Sequence, residues 1–114
     1  MALALETDYA VATGDVTLSI FIGEGQLGTS LVRLEDTELA MGDVEGLKIG
    51  KGGQLAGKRL FIKTVVTDVN DNTNHTSVRY ELKGGKVDQD FDLDASVDEE
   101  GGSVIYRATL NLKS

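Results

Sequence analysis

The fold class predicted for this chain is all-β, and three observations predict it. Apolar and polar residues alternate over most of the 114 residues, as in Val16, Leu18, Ile20 and Ile22 against Thr17 and Ser19. That is the period of a strand with one buried face. The alternating runs are short, and Gly, Asn and Asp clusters of the kind that make turns separate them. Proline and cysteine are both absent while glycine reaches 14 residues. Sharp turns must then use Gly, Asn or Asp, and no disulfide staples the fold.

Taken in order, Leu3, Leu5, Tyr9 and Val11 alternate with Glu6 and Asp8, a first strand ending near Thr13-Gly14-Asp15. Val16–Ile22 is a second strand closed by Gly23-Glu24-Gly25, and Thr29–Leu34 a third. Between Glu35 and Gly46 the pattern weakens, with Leu39 and Met41 among acids, and leaves room for one or two helical turns from Asp36. Leu47 and Ile49 mark a short strand, and a glycine-framed loop follows over 50–57.

The organising stretch is Lys58–Gly84, which reads as a long hairpin around the polar loop Asn70–His75. Its first arm is apolar on both faces (Leu60, Ile62 and Val66 on one, Phe61, Val65 and Val69 on the other), so it belongs in mid-sheet. Its second arm sets Val78, Tyr80 and Leu82 against Ser77, Arg79, Glu81 and Lys83, with one side in water. Beyond it, Val87, Phe91 and Leu93 alternate with four aspartates, and Asp98–Gly102 is a turn. Val104, Tyr106, Ala108, Leu110 and Leu112 form the cleanest alternation in the chain. Seven or eight strands of this kind predict one antiparallel β-sandwich over residues 1–114, immunoglobulin-like or jelly-roll-like in class.

The formal charge of −8 repels phosphate backbones and anionic lipid, which argues against nucleic-acid and membrane partners. The N-terminus lacks the basic segment of a signal peptide, and no apolar run approaches the ~20 residues of a membrane span. The compartment is undecided, with the cytoplasm as default.

Gly23-x-Gly25-x-x-Gly28 has dinucleotide-binding spacing, but strand rather than helix is expected after it. Gly52-x-x-x-x-Gly57-Lys58 nearly matches a phosphate-binding loop, yet Arg59 stands where Ser or Thr should hold magnesium. Asp68-Val69-Asn70-Asp71-Asn72 resembles the Asp-x-Asn-Asp-Asn linker of cadherin repeats. That resemblance implies calcium ligation by Asp68, Asn70, Asp71 and Asn72. Read from its residues alone, the same stretch is a hairpin tip that caps its own turns. An EF-hand counted from Asp68 fails, with Thr73 at the glycine position and Arg79 at the bidentate glutamate. Asp88, Asp90, Asp92 and Asp94 would project from one face of one strand at ~7 Å spacing. Four aligned carboxylates need compensation, from solvent, from Arg79, Lys83 and Lys86, or from a hard cation. His75, the sole histidine, falls on the polar loop.

Three functional readings follow. The first is a non-enzymatic interaction or structural module of a larger assembly, binding a protein partner or itself and needing no cofactor. The second is a calcium-binding β-sandwich using the Asp68–Asn72 loop or the Asp88–Asp94 strand. The third is a small carboxylate-dependent enzyme or carbohydrate binder.

Overall fold

The computed structural model describes residues 2–99 and 101–114. They form β1 (Ala2–Ala10), β2 (Asp15–Ile22), β3 (Leu27–Leu34), β4 (Thr37–Gly42) and β5 (Leu47–Lys51), then a single helical turn α1 (Gly52–Leu55). β6 (Arg59–Thr67), β7 (His75–Lys83), β8 (Gln89–Ser96) and β9 (Ser103–Lys113) complete the chain. A five-stranded sheet runs β1-β9-β6-β3-β4, and a four-stranded sheet runs β5-β2-β7-β8. The fold is therefore all-β, with two mainly antiparallel sheets.

Alternation places the core. Val16, Leu18, Val78, Tyr80 and Leu82 of the four-stranded sheet and Val32, Leu60, Ile62, Val104 and Leu110 of the five-stranded sheet are buried in one apolar cluster. All three tyrosines are fully buried there, and each hydroxyl reaches away from its own sheet. Tyr106 on β9 meets the Thr76 hydroxyl on β7, and Thr76 donates in turn to the Ala95 carbonyl at 2.7 Å. Thr76 has one proton to give, so Tyr106 is the donor of that pair. The Gly85 amide, beyond β7, donates to the Tyr9 hydroxyl of β1 at 2.9 Å. Tyr80 on β7 lies toward Thr64 on β6, but its hydroxyl makes no hydrogen bond of proper geometry. Burial pushes its phenol up to about 12, with Thr64 opposing that shift in part.

Four expectations change. The two arms of Lys58–Gly84 do not pair: β6 lies between β9 and β3, whereas β7 lies between β2 and β8 in the other sheet. The arm apolar on both faces took the mid-sheet place its composition demands, and the connection over 68–74 carries the chain to the other sheet. Residues 37–42 form a strand instead of helical turns. Glu35, with φ 49°, turns the chain within two residues, and β4 then pairs with β3 as an edge. An edge strand can leave polar residues on both faces in water, which is why its pattern was weak. β1 pairs with β9 in parallel, from Ala2 opposite Ile105 to Ala10 opposite Lys113. Alternation identifies the buried face of a strand but not its direction. Finally, the glycine-framed loop contains α1, where a Cβ on Gly52 would lie 2.1 Å from the Ala12 carbonyl oxygen. Only glycine permits that approach.

Candidate functional site

The Asp68–Asn72 stretch is built as a strap. Asp68 keeps the inward phase of β6 and is 2 % exposed, with no hydrogen-bond partner on either carboxylate oxygen. Beyond it the loop satisfies itself. The Gln26 side-chain oxygen accepts from the Val69 and Asn70 amides at 2.7 and 2.9 Å, while its nitrogen donates to the Thr73 and His75 carbonyls. The Asn70 side chain accepts from the Asn72 amide at 3.0 Å and donates to the Glu24 carbonyl at 2.9 Å. Asp71 and Asn72 are exposed at the tip. Asp68 is thus on the core side, whereas the amides of Asn70 and Gln26 hold the turn itself.

The aspartate row is shorter than expected. Asp88 precedes β8, in the turn after β7, where its carboxylate accepts the Gly84 amide at 3.1 Å. Turn chemistry claimed it before the strand began. Asp92 pairs with Arg79 on β7 through contacts of 2.8 and 3.4 Å. That hydrogen bond, reinforced by the charge of Asp92, raises the Arg79 pKa above its ordinary value. Asp90 stands opposite Glu81, and Asp94 opposite Ser77. Both aspartates are exposed on the edge strand of their sheet. Among the described residues, no three His, Asp or Glu side chains converge as a metal site.

His75 begins β7 instead of lying in the loop, and its Nδ1 is 3.1 Å from the Ser96 hydroxyl across the strand pair. A nucleophile would need a further group orienting that ring and donors for an oxyanion. The contact lies on the exposed surface. Gly28 opens into β3 and Lys58 precedes β6, so neither glycine motif has the helix its phosphate chemistry requires.

Sequence reading missed the outer face of the five-stranded sheet. The register aligns Met41, Leu31, Lys63 and Arg107 in one row across four strands, and Arg33 and Phe61 in the next. Arg33 lies over the Phe61 ring at 5.0 Å and Arg59 at 5.8 Å. A shallow depression of about 190 Å³ lies among Leu31, Arg33, Phe61, Lys63 and Arg107. Met41 is 70 % exposed beside it. Arg33, Arg59, Lys63 and Arg107 are all exposed. None of the four forms an ion pair among the described residues. The available signal was a cation at the outward phase of β3, β6 and β9, but only the strand order brings these residues together.

Comparison with family models, with curated proteins and with solved structures finds no match. No helix among the described residues is long and apolar enough to cross a membrane.

Proposed function

We propose that this chain is a non-enzymatic interaction or structural module, a β-sandwich acting as one component of a larger assembly. The reading rests on the basic, partly apolar face around Phe61. Four cations collect there in a chain of net charge −8, and each lies in reach of a partner's carboxylates. Arginine beside an aromatic ring is the composition enriched at interface centres. The layered arrangement departs from the constant-type immunoglobulin order, where the first two strands share a sheet, since β1 and β2 belong to different sheets.

Capture from the source lysate tests the reading. Immobilised wild type should retain more of a partner than the Arg33→Glu/Arg107→Glu variant does. Equal retention by both proteins, or by neither, contradicts it.

A second reading, a hard cation held with the help of Asp68, rests on that buried carboxylate and its unpartnered oxygens. Melting in EDTA and then in millimolar calcium tests it. A ligand at a hundred times its Kd adds about 2.7 kcal/mol, which raises the midpoint of a domain this size by roughly 10 °C or more. Calcium-independent melting dismisses it.

A further inference from the structure

Resting on the interaction-module reading, we infer that the partner of the basic face is a second copy of this chain, presenting its acidic β8 edge. Residues 88–100 hold seven of the chain's 19 acids and no Lys or Arg. Within them, Asp90 and Asp94 are exposed on a strand that ends its sheet. The basic face belongs to the other sheet, with Arg59 and Lys63 exposed on the central strand β6.

The two sets also match in spacing. Asp90 and Asp94 are four residues apart on one strand, as are Arg59 and Lys63, so each pair spans ~13 Å along its strand. Between the cations sits Phe61, and beside them the apolar row of Leu31 and Met41 continues the patch.

An acidic edge strand has a simpler use, the prevention of edge-to-edge pairing. That use accounts for Asp90 and Asp94 but leaves Lys63 and Arg107, on the opposite sheet, without an ion pair among the described residues, whereas Arg33 stands opposite Glu38 and over the Phe61 ring. Docking the acidic edge on the basic face gives both a partner. Because the two patches differ, the contact is heterologous and repeats from copy to copy, into a ring or a filament. The shared charge of −8 repels two copies at long range, so association depends on setting edge against face.

Sedimentation velocity on two charge-reversed variants, alone and mixed, tests this. Arg59→Glu/Lys63→Glu destroys the face, and Asp90→Lys/Asp94→Lys destroys the edge. All four positions are exposed, and circular dichroism confirms that each variant folds. Wild type should associate with rising concentration, up to about 1 mM at the weak end of specific binding. Each variant alone should stay monomeric. The mixture should associate, because the first variant keeps its edge and the second its face. Monomers in the mixture, or association of either variant as strong as wild type, overturn the inference. If wild-type chains ignore one another while capture from lysate still depends on Arg33 and Arg107, the second copy is wrong and the interaction module stands. If both fail, both readings fall.

Discussion

Buried side chains differ most in whether their polar atoms are matched. Tyr106 donates to Thr76, and Thr76 to Ala95. Tyr106→Phe removes one donor and leaves the Thr76 oxygen with less to accept, at a cost of about 1 kcal/mol. Thr76→Val takes the hydroxyl acceptor from the buried Tyr106 hydroxyl, and should cost more, about 1–3 kcal/mol. Urea unfolding should rank them in that order, with a double variant less damaged than the sum because the residues share one network. Asp68 is the opposite case, a buried carboxylate with unpartnered oxygens. In EDTA, Asp68→Asn should stabilise the fold by about 1 kcal/mol, because it replaces a buried carboxyl group whose two oxygens have no partner with an amide that can also donate. Destabilisation that appears only when calcium is present would instead support the cation reading.

Strands carry the next level of constraint. On β8, Asp90 faces Glu81 directly, and like charges so placed are destabilising by roughly 0.2–1 kcal/mol. Asp90→Lys should raise the urea midpoint by about that amount while weakening self-association, a separation that a purely structural role for Asp90 would not produce. The same scale explains what could be read from sequence. β2, β7 and β9 were legible because each has one buried face and a strict period of two. The mid-sheet place of β6 was legible from its two apolar faces. Its partner was not, because a loop of turn residues looks the same whether it closes a hairpin or crosses between sheets. β4 escaped notice because an edge strand exposes both faces. The basic face escaped because Arg33, Lys63 and Arg107 are remote in sequence and meet only through the register. The acidic loop and strand were legible as clusters, yet hydrogen bonds to Gln26, Asn70 and Gly84 decide which side chains build turns.

At the scale of the whole molecule, the two sheets are tied through tyrosines, which links stability to alkaline pH. The Tyr9, Tyr80 and Tyr106 phenols are all raised, chiefly by burial. For Tyr80 the folded value is about 12 against an ordinary 10.0. Below pH 10 both folded and unfolded forms keep the proton, and the full stability is present. Between about pH 10 and 12 the unfolded chain ionises first, so stability falls as pH rises. The loss from Tyr80 is on the order of 2–3 kcal/mol. Ultraviolet titration should show tyrosinate appearing together with unfolding, and Tyr80→Phe should reduce the alkaline loss. A gradual appearance of tyrosinate in a chain that stays folded would mean that the phenols are not sealed between the sheets.

The charge distribution belongs to this scale too. An acidic chain that gathers cations on one sheet and carboxylates at the edge of the other would, on the proposed reading, meet partners at those two places. Carbodiimide cross-linking of wild type, which joins a lysine to a carboxylate in contact with it, pure and in its source lysate, with the linked residues located by mass spectrometry, tests that most directly. The account predicts intermolecular links at Lys63, abolished when Arg33 and Arg107 are reversed to glutamate. A chain that yields no intermolecular link at Lys63 in either setting would contradict it.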